Sequence, residues 1–386
     1  MNNHFWKAAL CAAMVPFALA GCGGGDDGGG VQTGTLHVAM TDAPSCGFDH
    51  VYVTVSQVRV NANTNASDND AGWSTITLAT PRKIDLLSLT NGVLADIGQT
   101  ALPAGQYQQI RLVLAPNQGN SLANSVVPTG GTEQALATPS ATQSGYKIIQ
   151  PFTVQANTLV DLVLDFNACK SIVQRGNNTY ALKPVVTAIP TVVSGAISGY
   201  VAPAEAGATV YAEQGGKVVR GTVADSTGKF VLSPLIQSST QGNYDVVIVQ
   251  NNFASGIVRT VPVVVNTTTA VSASNAPITL PASTMSSVSG TVTASADALV
   301  RALQTVDARA YEITSINANM DTGAYALKLP TAAPIVGTYS GSLPVALAAS
   351  PAAAAQYTIE ADAASGATQS TNVNATTSQS NVNFSF

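Results

Sequence analysis

Leu159-Val160-Asp161-Leu162-Val163-Leu164-Asp165-Phe166 decides the fold. In a chain whose side chains alternate every residue, Val160, Leu162, Leu164 and Phe166 fall on one side and Asp161, Val163 and Asp165 on the other. A helix would scatter the apolar set around its circumference, so the stretch reads as a half-buried strand. The same period recurs at Val51, Val53 and Val55 against Tyr52 and Thr54, and at Ile110, Leu112 and Leu114 against Arg111 and Val113. Turn residues stand between such stretches: Asp42-Ala43-Pro44, Asn91-Gly92, Pro103-Ala104-Gly105 and Gly176-Asn177-Asn178. Helical signals are confined to a turn at 85–89 and an alanine-rich stretch at 346–355 that Pro351 interrupts. The class expected is all-β.

The 386 residues leave room for two or three domains at roughly 100–200 residues each. Hydrophobic residues make up 46% and charged residues 10%, enough apolar material for real cores and too little charge for disorder. Sixteen Lys and Arg stand against 21 Asp and Glu, a net charge of −5 with no basic run, which excludes the electrostatic footprint of a nucleic-acid binder. Three histidines, His4, His37 and His50, leave little for general acid–base work or a metal cluster. No cofactor is expected.

Lys7 followed by the apolar run 8–20 reads as a secretory signal, too short to span a bilayer. It ends in Leu19-Ala20-Gly21-Cys22, which resembles the lipobox of bacterial lipoproteins. The resemblance implies removal of residues 1–21, lipid on the Cys22 thiol, and a membrane as partner through that lipid. Gly23 rather than Asp after the cysteine implies the outer membrane in the sorting logic of such lipoproteins. Residues 22–34 form a lipidated, glycine-rich tether. The expected location is the cell envelope, facing the periplasm or the surface. With Cys11 in the signal and Cys22 acylated, Cys46 and Cys169 remain, an even pair expected to form a disulfide in an oxidising compartment. A nucleophilic Cys169 would need a base, and the mature chain offers only His37 and His50.

Residues 35–190 form the first expected domain. Met40-Thr41-Asp42-Ala43-Pro44, Ile84-Asp85-Leu86-Leu87-Ser88-Leu89, Leu102-Pro103-Ala104-Gly105-Gln106-Tyr107 leading into Ile110–Leu114, and Leu182-Lys183-Pro184 resemble a bacterial lipoprotein domain of unknown function, number four-three-eight-two. The family has no assigned activity, so the resemblance implies an envelope location and no catalytic residues.

An internal repeat fills the remainder. Ser198-Gly199-Tyr200-Val201 returns as Ser289-Gly290-Thr291-Val292, and Asp225-Ser226-Thr227-Gly228-Lys229-Phe230 returns as Asp321-Thr322-Gly323-Ala324-Tyr325. Asn243-Tyr244 returns as Gln356-Tyr357, and Val265-Asn266-Thr267-Thr268 as Val373-Asn374-Ala375-Thr376. Two β-sandwiches are expected, at 194–282 and 286–386. The order of turns and strands is similar to the carboxypeptidase-regulatory-like, or transthyretin-like, module. The architecture expected is therefore tandem Ig-like or transthyretin-like β-sandwiches after the tether.

Chemistry-bearing motifs are few. Asp321-Thr322-Gly323 matches the aspartic-protease tripeptide, but its repeat partner Asp225-Ser226-Thr227-Gly228 explains both as hairpins in which Asp caps the turn and Gly takes positive φ. Ser226-Thr227-Gly228-Lys229 and Ser144-Gly145-Tyr146-Lys147 satisfy Ser-x-x-Lys in turns rather than at a helix start, and no Lys-Thr-Gly follows. Asn61, Asn63, Asn65, Ser67, Asp68, Asn69 and Asp70 space oxygen atoms as calcium loops do, without the turn glycine or the bidentate Glu. Asp42 and Asp49 flank Cys46 as a second acidic cluster. Asp42, Asp49, Asp68 and Asp70 are thus the candidate ligand or calcium residues, and no catalytic residue is assigned. His37 is expected on the face opposite Leu36, Val38 and Met40, and Asp161 and Asp165 on the polar face of their strand. The alternating C-terminal Val382, Phe384 and Phe386 are expected to close the last sandwich.

The function expected is that of a lipid-anchored, non-enzymatic envelope module that binds or scaffolds, its Ser, Thr, Asn and Gln surface suiting a glycan or an envelope protein. The alternative is a hydrolase of envelope polysaccharide, for which Asp42, Asp49, Asp85, Asp161 and Asp165 would have to supply two carboxylates in one cleft.

Overall fold

A computed structural model of the chain describes residues 32–42, 47–295, 297–343 and 345–386. The expected signal, Cys22, Cys46 and the tether up to Val31 lie outside these residues. The architecture is all-β, as the alternation predicts. Helical segments are short: Leu86–Ser88 is a 3-10 turn whose first free N–H groups are met by Asp85, which accepts from the Leu87 N–H, and Pro351–Ala353 is another.

In the first sandwich, Leu159–Phe166 lies between Val186–Pro190 and Thr33–Asp42 in a four-stranded sheet that Ala95–Pro103 completes. Strand Thr33–Asp42 begins two residues inside the expected tether, because Thr33 and Gly34 pair with Pro103 and Leu102. The facing sheet has eight strands and includes Phe48–Asn61, Gly105–Leu114 and Tyr146–Val154. Leu162, Leu164 and Phe166 meet Leu36, Val38, Met40 and Val51, Val53, Val55 in one core, which is the apolar half of each alternating stretch.

In the second sandwich, Ser194–Tyr200 lies between Lys229–Ile236 and Thr268–Ala270. In the third, Met285–Thr293 lies between Ala324–Pro330 and Phe384–Ser385. The repeat seen in sequence is a repeat of contacts. The Val201 N–H donates to the Gly228 carbonyl at 2.9 Å, and the Val292 N–H donates to the Gly323 carbonyl at 2.9 Å. Gly228 and Gly323 have φ of +80° and +67°, and a Cβ at either would lie 2.2 or 2.0 Å from the carbonyl oxygen of Val201 or Val292. Only glycine fits there. The Tyr244 hydroxyl donates to the Ile236 carbonyl at 2.8 Å and the Tyr357 hydroxyl to the Pro330 carbonyl at 2.6 Å.

One exchange crosses the repeat boundary. Ile335–Thr338, inside the segment expected to form the third sandwich, pairs in parallel with Gly256–Val261 and joins the second sandwich's six-stranded sheet. That sheet serves two cores: Val246, Ile248 and Val258 face the second core, while Val247 and Ile257 on its other face pack into the third. A run such as Val246-Val247-Ile248 is apolar on both faces because both faces are covered. Residues Gln32–Phe386 form one compact unit.

Candidate functional site

Charged groups in this chain are few, and several of them are buried where the three sandwiches meet. Asp165, expected on a solvent face, is 7% exposed and ion-paired with Arg220 of the second sandwich. Burial pushes the Asp165 carboxyl up to about 6 in spite of the Arg220 guanidinium. Burial likewise lowers Arg220, against the pull of Asp165 and of Asp42. Burial thus works against the charged form of each partner, and the attraction between them opposes it. Beside this pair the Asn91 side-chain oxygen accepts the Val231 N–H at 3.0 Å, and the Asn91 N–H donates to Thr222 Oγ1 at 2.8 Å. The Asn91-Gly92 turn is thus a docking element as well as a turn.

A second cluster joins all three sandwiches. Lys170 Nζ of the first lies 2.8 Å from Glu312 of the third, whose other carboxylate oxygen is 3.2 Å from Arg301. Arg301 also pairs with Glu360 and, at 3.0 Å, with Asp362. Glu213 of the second sandwich accepts the Glu312 N–H at 3.1 Å. Burial, and then the nearby Glu312, hold the Glu213 carboxyl well above the usual range. Asn317 Nδ2 donates to the carbonyls of Lys170 at 3.0 Å and Ile172 at 3.1 Å. Arg220, Arg301, Glu213 and Glu312 are not among the residues that the sequence pattern singles out. Their signal was slight: each is one of the few charges of a chain that is only 10% charged, set in a strand segment that also carries other polar residues.

Next to this cluster the outer faces of the three sandwiches leave a cleft of about 570 Å³. Phe48, Ile172 and Tyr180 of the first sandwich, Tyr211 and Val249 of the second, and Ile316 of the third contribute its apolar walls.

The sequence candidates fall elsewhere. Asp42 ends its strand buried, and its carboxylate accepts the Ala168 N–H at 2.9 Å. Asp49 accepts the Gly130 N–H at 3.2 Å. The acidic pair around Cys46 is therefore spent on two separate backbone contacts. In the candidate calcium loop, Asn61 and Asn63 cap the N–H groups of Asn63 and Asn65, Asp70 accepts from Ser67, and Asp68 pairs with Arg111. Arg59 and Arg111 both stack on Trp73 beside it, so two guanidinium groups stand where a cation would approach. Among the described residues no group of three or more His, Cys, Asp and Glu is placed to hold a metal ion.

His37 lies on the face expected, between Asp161 at 2.7 Å and Asp96 at 3.0 Å. His50 pairs with Asp85 at 2.6 Å and stacks on Tyr52. Neither histidine has a hydroxyl within hydrogen-bond reach among the described residues. In the Asp225 turn, the carboxylate accepts the N–H groups of Thr227 and Lys229 at 2.8 and 3.1 Å, as expected. In the Asp321 turn, Asn319 takes that role, accepting from Asp321 and Thr322 at 3.1 and 3.0 Å. Asp321 instead accepts the Gly176 N–H of the first sandwich. Of the five carboxylates from which a hydrolase would have to draw two, the fold brings Asp42 and Asp165 to a common partner, Arg220, with 2% and 7% exposure.

The fold and its junctions thus define a multi-sandwich protein whose modules are packed against one another. Residues 33–184, which span the first sandwich, match the family model described as Domain of unknown function (DUF4382). No curated protein matches the chain. Among solved structures, it is similar to a chain of a type II cohesin–X–dockerin complex from Acetivibrio cellulolyticus, at 25% identity and a TM-score of 0.19, covering 23% of this chain and 58% of that one. It is similar to a Streptococcal ancillary pilin at 8% identity and a TM-score of 0.16, covering 92% and 99% of the two chains. The major pilin subunit of Bacillus cereus matches at 10% identity and a TM-score of 0.13, again over 92% and 99%.

Proposed function

We propose that the chain is a lipid-anchored cell-envelope protein, held in the outer membrane by acyl groups on Cys22, that works as a non-enzymatic binding or scaffolding module for a glycan or an envelope protein. The second and third sandwiches are read as carboxypeptidase-regulatory-like, transthyretin-like repeats. The observation that carries this reading is the fate of the carboxylates. Asp42 and Asp165 are buried around Arg220 and cannot reach a polymer, and Asp85 and Asp161 are each taken by a histidine. What the buried ion pairs do supply is one body made of three modules, which suits presentation of a surface.

The Cys46–Cys169 disulfide belongs to the same reading. Gly47, the next residue after Cys46, lines the same cleft as Cys169, and the Asp42 carboxylate ties the preceding strand to the N–H of Ala168.

Protease digestion of intact cells, with a periplasmic protein as lysis control, tests the location. Loss of residues 195–386 with the control intact marks the surface, and protection marks the periplasm. Cys22→Ser should release the chain from the membrane fraction, and a chain that stays bound would refute the anchor. Titration with envelope polysaccharides tests the glycan partner. Release of reducing ends from such a polysaccharide, abolished by Asp85→Asn, would favour the hydrolase instead.

A further inference from the structure

The cleft at the triple junction exists because strands bury one face in their own core and turn the other outward. Thr209 and Tyr211 alternate with Val210 and Ala212, which are in the second core, and Ala326 and Lys328 alternate with Tyr325, Leu327 and Leu329, which are in the third. The outward faces meet around a space of about 570 Å³, within the roughly 300–1,000 Å³ of small-molecule sites. Apolar and aromatic side chains form part of its walls. Phe48 and Tyr180 meet edge to face at 5.7 Å, and Ile316 is left 38% exposed, an apolar side chain open to water where a ligand would cover it.

The polar groups of the cleft are equally specific. Lys328 is the single charged side chain lining it, and no Asp or Glu does so. Among the described residues Lys328 makes no ion pair, and the Thr209, Thr314 and Ser315 hydroxyls make no hydrogen bond. A lining of apolar, aromatic and neutral polar side chains with one cation and no carboxylate of its own complements an apolar body with one negative end.

We propose that this cleft binds a long-chain carboxylate, the acyl chain lying along Phe48, Tyr180, Tyr211 and Ile316 and the carboxylate pairing with Lys328. The site deepens the binding-module reading and rests on it, but its test is separate: laurate binding is measured on the compact unit Gln32–Phe386, whatever the outcome for Cys22 or for the membrane face.

Laurate, dodecyltrimethylammonium and dodecyl maltoside, which share a chain and differ in head charge, are titrated calorimetrically below their micelle concentrations. Laurate should bind with a stoichiometry of one and at least tenfold more tightly than the cationic amphiphile. Lys328→Glu should weaken laurate at least tenfold and dodecyl maltoside less than twofold. Ala326→Trp, which fills the cleft from an exposed position, should abolish binding of all three, and Thr314→Trp supplies the same test from a second lining position should the first variant not fold. No laurate binding, equal binding of the cationic amphiphile, or binding indifferent to Lys328→Glu and to the filled cleft would overturn the assignment.

Discussion

Arg220 of the second sandwich and Asp165 of the first form an ion pair with 2% and 8% side-chain exposure, so the face of the Leu159–Phe166 strand that its sequence marks as polar is an interface. Each group is displaced toward its neutral form by burial. Such a pair costs about as much to desolvate as its attraction returns, yet losing one partner alone is expensive.

Arg220→Met should therefore destabilise the chain by about 3–5 kcal/mol, because it strands the Asp165 carboxylate. Arg220→Met combined with Asp165→Leu should lie within about 1 kcal/mol of the parent. Urea denaturation of the parent, both single variants and the double variant measures the cycle. A double variant no better than Arg220→Met would show that the pair itself stabilises the junction.

The same carboxyl sets a pH dependence. Its folded value of about 6 lies above the unfolded value of 3.8, so between those limits the folded chain holds a proton that the unfolded chain has released. Stability from this group is then greatest at low pH, falls as the pH rises from about 4 to about 6, and is level above that. At about 1.36 kcal/mol per unit the fall is on the order of 3 kcal/mol. The parent curve minus that of Asp165→Asn should slope downward through this window, and an upward or flat difference would discard the explanation.

Gly228→Ala and Gly323→Ala should each cost about 1–3 kcal/mol, since both need positive φ and both would drive a Cβ into a valine carbonyl. Equal costs at the two sites, read from denaturation midpoints, are expected from the matched turns. A neutral effect at either would break the structural equivalence of the repeats there.

Cys46 and Cys169 should appear as one cross-linked peptide in a non-reducing digest. Breaking that link should remove about 4–5 kcal/mol in the chain-entropy account of a loop longer than a hundred residues. Separate free thiols in the chain isolated from its native cells would rule the disulfide out.

Much of the fold was legible in local sequence. Period-two alternation placed Leu162, Leu164 and Phe166 in the first core, and the paired Asp-to-Gly turns revealed the repeat. The crossing of Ile335–Thr338 into the neighbouring sheet was not legible, because the choice of partner strand depends on which edge is open nearby and leaves no mark in the strand's own residues. The candidate site was legible only as an oddity, scarce charges set among the strands at Glu213, Arg220, Arg301 and Glu312.

The sequence by itself determined which face of each strand enters its own sandwich, since one residue of slip would send every apolar side chain into water. Only the tertiary structure decided what the other face does. Asp161 and Asp165 occupy equivalent positions in the pattern, yet Asp161 meets a half-exposed histidine while Asp165 is sealed against Arg220. Alternation is local and reports one core. Burial of the second face depends on a separate module arriving from elsewhere in the chain, and that event is written in no window of the strand.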